Sequence, residues 1–183
     1  DGFGGRNFAR KGSDLKAQVT VSFEEAVFGC EKVIHLQGSG GVQSLKVRIP
    51  AGIESGKSIR LRGKGMPGSR GGEAGDLFLK VNVAVKNGFE RKGMDVYTTV
   101  NVPFATAVLG GEVMIETLYG KVRCKIKPGT QSGTKIRLRG KGIVSMKDAS
   151  VHGDQYATVQ IQVPKNLSTA AIQKLKEFRE ACA

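Results

Sequence analysis

Ser55-Gly56-Lys57-Ser58-Ile59-Arg60-Leu61-Arg62-Gly63-Lys64-Gly65 returns later in the chain as Ser132-Gly133-Thr134-Lys135-Ile136-Arg137-Leu138-Arg139-Gly140-Lys141-Gly142, altered only at the two positions after the first Gly. Correspondence continues outward in order. Phe23, Ala26 and Gly29 answer to Phe104, Ala107 and Gly110, Ile49 to Ile126, Gly52 to Gly129, and Gly75-Asp76 to Gly153-Asp154. A sequence that repeats a unit of this size encodes two copies of one small fold. The division that follows is a short Gly-rich lead over 1–13, a first domain over 14–87, a connection over 88–94, a second domain over 95–165 and a tail over 166–183.

Within each copy the apolar residues alternate with polar ones. Lys16-Ala17-Gln18-Val19-Thr20-Val21, Lys46-Val47-Arg48-Ile49, Ile59-Arg60-Leu61-Arg62 and Leu77-Phe78-Leu79-Lys80-Val81-Asn82-Val83 read as strands between Gly-rich turns. Ser22 followed by Glu25 forms a capping box for one helical turn, which Gly29 can end in the left-handed region. Its counterpart starts near Pro103, a good first helical residue. In the tail, Ser168 caps a longer helix, Leu167 can staple onto Ile172, and Ile172, Leu175 and Phe178 form one apolar stripe. The fold class is therefore mainly β: two tandem, homologous, small β-sandwich-like domains, each with one short helix, plus a C-terminal α-helix.

Composition narrows the function classes. With 39% hydrophobic and 25% charged residues in 183, the chain can bury a core, and no apolar run approaches the roughly 20 residues that span a bilayer. Cys30, Cys124 and Cys182 are odd in number and far apart, so neither a disulfide framework nor a zinc knuckle is written here, and a cytoplasmic location fits. Twenty-nine Lys and Arg against 16 Asp and Glu give a net charge of +13, which keeps DNA among the partners to consider.

Several stretches imitate chemistry without its context. Ala51-Gly52-Ile53-Glu54-Ser55-Gly56-Lys57-Ser58 fits a permissive phosphate loop, but a strand follows where a helix is needed. Gly63-Lys64-Gly65-Met66-Pro67-Gly68 fits a dinucleotide fingerprint, yet Ser69-Arg70-Gly71-Gly72-Glu73 cannot open the required helix, and the loop reads as a hairpin connection. His35 and His152 lack ligand-spaced companions, and no nucleophile set is apparent. The expectation is a protein with no catalytic residues, no metal and no cofactor.

The repeated Ser-Gly-x-x-Ile-Arg-Leu-Arg-Gly-Lys-Gly element, with the Ser22 to Gly29 segment before it and Gly75-Asp76-Leu77 after it, resembles the C-terminal client-binding domains of the DnaJ family of co-chaperones. Asp1-Gly2-Phe3-Gly4-Gly5-Arg6-Asn7-Phe8 resembles the end of that family's Gly/Phe-rich linker. These residues contain no His-Pro-Asp motif of a J-domain and no Cys-x-x-Cys-x-Gly-x-Gly repeats, so the likeness is to the zinc-finger-free subtype, similar to bacterial curved-DNA-binding protein.

The resemblance implies a co-chaperone that binds extended apolar segments of unfolded polypeptides and presents them to a DnaK-type ATPase chaperone. It places the client groove on Ala17 and Val19 of the first strand, Lys32, Ile34 and Leu36 of the second, and Phe89 just past the domain. On the residues alone Val19, Ile34 and Leu36 read as core; the resemblance turns the reading to a groove. Lys32 discriminates, because a cation in that row is costly in a core and natural at a rim. Ile172, Leu175 and Phe178 are the expected homodimerisation stripe. The competing reading is a basic, nucleoid-type DNA-binding module, although aromatic content of 6% supplies few stacking platforms.

Overall fold

The protein is described by a computed structural model over residues 8–38 and 41–183; the expected Gly/Phe-rich stretch at 1–7 lies outside the described residues. The alternating segments become strands. In the first copy β1 (Leu15–Val21) leads into α1 (Phe23–Phe28), then β2 (Cys30–Gly38), β3 (Gly41–Ile49), β4 (Ser58–Leu61) and β5 (Leu77–Val83). A three-residue strand, β6 (Glu90–Lys92), precedes the second copy: β7 (Asp95–Pro103), α2 (Phe104–Leu109), β8 (Gly111–Thr117), β9 (Gly120–Ile126), β10 (Lys135–Leu138) and β11 (Gln155–Gln162), followed by α3 (Thr169–Ala181).

Each copy packs a sheet against a hairpin. In the first, the order is β1-β5-β4, with β1 parallel to β5 and β4 antiparallel to it, while β2 and β3 form a separate antiparallel pair. In the second, β10, β11 and β7 are neighbours in that order, and β8 pairs with β9. Period-two alternation sends Leu77, Leu79 and Val81 of β5 to the hairpin side, where they meet Ile34, Val47 and Ile49 in one buried cluster. Val100, Val102, Ile115, Ile126, Ala157 and Val159 form its counterpart.

The two copies also share hydrogen bonds. Asp76 Oδ1 accepts from the Gly63 amide, and Asp154 Oδ1 from the Gly140 amide; the Asp76 and Asp154 amides donate to Asp14 and Asp95. The Gly56 and Gly133 amides donate to Val81 and Val159 carbonyls. The phosphate-loop imitation is therefore a turn whose Gly56 amide β5 already occupies.

The capping box forms as read: the Ser22 amide donates to Glu25 Oε1 at 2.9 Å and the Glu25 amide to Ser22 Oγ at 3.1 Å. Gly29 ends α1 at φ 78°, and a Cβ there would stand 2.9 Å from the Ala51 amide nitrogen. Pro103 is the N-cap of α2 and not its first helical residue, and it supplies no side-chain cap. Ser168 Oγ caps α3 by accepting from the Ala171 amide.

Contacts divide the chain into two compact units, one reaching to Val96 and including Arg139–Asp154, the other made of Tyr97–Leu138 and Gln155–Ala183. The segment Arg139–Asp154, which lies inside the second repeat, thus clusters with the first unit. The Ile143 amide donates to the Met94 carbonyl at 2.7 Å, and Gly52, at φ 86°, leaves no room for a Cβ, which would fall 2.3 Å from the Val144 carbonyl oxygen. Residues 10–13, part of the Gly-rich lead, run beside the 65–75 loop, where Arg10 bridges Ser69 and the Gly12 amide donates to Glu73.

Candidate functional site

In the first unit β1 stands at the end of its sheet and β2 pairs only with β3, so among the described strands each keeps one backbone edge unpaired. Ala17 and Val19 project from β1 onto the hairpin side, and Lys32, Ile34 and Leu36 share one face of β2. Ile34 is 9% exposed and belongs to the buried cluster, whereas Ala17, Val19 and Leu36 are half-buried against it. Four of the expected residues, Ala17, Val19, Ile34 and Leu36, therefore pack in one cluster, and Lys32 lies on the same face of β2 as Ile34 and Leu36.

Lys32 sits in this apolar row because it has a partner. Its Nζ lies 2.8 Å from Glu25 Oε2, both side chains being 32% exposed. Glu25 thereby serves two masters, capping α1 with one oxygen and holding Lys32 with the other. The hydrogen bond to Lys32, followed by the Ser22 amide, lowers the Glu25 carboxyl from 4.5 to about 2. The same pair raises Lys32 above its ordinary value. The ion pair escaped the sequence reading because capping already accounted for Glu25.

Phe89 lies elsewhere. It packs against Phe23 with ring centroids 6.3 Å apart, with Lys86 Nζ 5.3 Å from its own centroid, and it lines a cavity of about 360 Å³. Phe23, Val27 and Val83 share that wall, and none of the other five expected client-binding residues does. Arg91, which also lines the cavity, donates to the Gly52 and Ile53 carbonyls.

In the second unit, Ile172, Leu175 and Phe178 line one hollow of α3 together with Lys176, Arg179 and Cys182. The three stripe residues are 44%, 44% and 47% exposed, although Phe178 also meets Phe104 edge-on at 6.5 Å. Among the described residues no group of His, Cys, Asp and Glu could hold a metal ion, and no helix is long and apolar enough to cross a membrane.

The family model described as DnaJ C terminal domain matches residues 8–164. Chaperone protein DnaJ 1 of Streptomyces avermitilis is 49% identical over 151 residues, covering 80% of this chain and 38% of that protein. Chaperone protein DnaJ of Lachnospira eligens is 40% identical over 139 residues, with coverage of 76% and 37%. That of Bacillus velezensis is 32% identical over 243 positions, with coverage of 95% and 64%. The chain spans 37% to 64% of the length of these three relatives. With two copies of one sheet-and-hairpin fold and a family match across most of its residues, the chain belongs to the DnaJ C-terminal domain family.

Proposed function

We propose that the chain binds extended apolar segments of unfolded polypeptides between β1 and β2 of its first domain and presents them to a DnaK-type ATPase chaperone. The observation that carries this reading is the company of Lys32: half-buried Ala17, Val19 and Leu36 beside a cation satisfied by Glu25, next to two strand edges that pair with no other described strand. An extended client adds backbone hydrogen bonds to such an edge and seats alternate side chains against the apolar wall. The DnaK-type partner rests on family membership alone.

Magnitudes favour weak, reversible capture. Two client side chains buried there contribute ~1.5 to 3 kcal/mol each, against an association cost of at least ~4 kcal/mol. A dimer formed through Ile172, Leu175 and Phe178 would raise effective affinity through avidity when one client spans both protomers.

Burial decides which variant tests the site. Ile34→Asp places a charge in the buried cluster, so it reports on folding. Val19→Asp with Leu36→Asp alters two half-buried positions. The expected result is loss of aggregation suppression with a melting transition retained; full suppression by the folded double variant overturns the assignment.

A further inference from the structure

Each domain is an internal control for the other. The shared Asp–Gly hydrogen bonds fix the correspondence, and strand register confirms it: Leu61 faces Leu77 across β4 and β5, and Leu138 faces Gln155 across β10 and β11. Leu77 is therefore replaced by Gln155, Ala17 by Thr98, Leu36 by Thr117 and Lys32 by Val113. Three inward apolar positions of the first domain are polar in the second.

Gln155 is 0% exposed. Its Nε2 donates to Thr98 Oγ1 on β7 and to the Glu116 carbonyl on β8, both at 2.9 Å. The carboxamide thus ties the sheet to the hairpin, across the same two layers that β1 and β2 belong to in the first domain. Its orientation follows from chemistry: a backbone carbonyl only accepts, so turning the amide would oppose two oxygens. Oε1 is then left with no hydrogen-bond partner among the described residues, a costly state for a buried acceptor.

We infer that Gln155 sets the ligand preference of the second domain by closing its cleft to apolar side chains, so that an extended apolar segment is taken by the first domain alone. This rests on the client-binding reading above. An apolar group entering between β7 and β8 must part Gln155 from Thr98 and Glu116 and leave buried donors and acceptors unmade. Sites built from hydrogen-bonding groups reject apolar ligands strongly for that reason. Leu77, at the equivalent place, needs no partner.

Isothermal titration of the whole chain with a Leu- and Phe-rich extended peptide tests this. One site per chain is expected, removed by Val19→Asp with Leu36→Asp. Gln155→Leu combined with Thr98→Ala and Thr117→Leu should create a second site. Two sites in the unaltered chain, or one site in the folded triple variant, overturn the inference and leave the client-binding reading intact. Absence of binding to the unaltered chain removes that reading and the inference with it. If the triple variant does not fold, a benzophenone-bearing version of the peptide decides on the unaltered chain. Cross-links confined to β1 and β2 support the inference, and cross-links on β7 or β8 overturn it.

Discussion

Lys32 is where the two readings of its strand part, and its partner Glu25 makes the difference measurable. The Glu25 carboxyl lies below its ordinary 4.5 in the folded chain, at about 2, so its contribution to stability is whole above pH 4.5 and is lost as pH falls toward 2. An NMR titration should place the Glu25 midpoint near 2, and Lys32→Met should move it up toward the ordinary value. A midpoint already at the ordinary value in the unaltered chain would mean that the pair does not persist in solution. Parity along β2 was enough to put Lys32, Ile34 and Leu36 on one face. It could not say how far that face is covered, because the buried cluster that Ile34 joins also draws on β3 and β5, farther along the chain.

At the scale of elements, strands and caps were legible because their signals are local. Alternation marked β1, β3, β4 and β5, and the Ser22 to Glu25 spacing marked the start of α1. The repeat then carried those assignments to the second copy, with one difference of chemistry: Pro103 stands where Ser22 does, and α2 has no side-chain cap. Ser22→Ala should therefore destabilise the first unit by about 1 kcal/mol, read as a lower urea midpoint with unchanged slope. A variant indistinguishable from the parent would show that the box contributes nothing beyond what solvent supplies. Gln155 was hidden for the opposite reason: a Gln in a strand reads as a surface residue until the opposing carbonyl of Glu116 is in place.

For the whole molecule, the repeat pointed to two copies of one fold, while the clustering of residues 139–154 with the first unit involves contacts with Met94 and Gly52 that no local pattern announces. The exposed stripe on α3 was visible from helical spacing, and its half-open state sets up the dimer proposal. Sedimentation equilibrium at micromolar concentration should give twice 19.5 kDa, and Leu175→Asp should return it to the single-chain mass; a single-chain mass for the parent would contradict the dimer. The charge of +13 makes a salt control necessary, since phosphate-driven binding weakens steeply with salt and apolar binding does not. The most direct test of client binding is a backbone and methyl NMR titration of the chain with an extended apolar peptide at moderate salt. Perturbations should centre on Ala17, Val19, Lys32 and Leu36 with the rest of the fold unmoved; perturbations confined to other surfaces, or none at saturating peptide, would contradict client binding between β1 and β2.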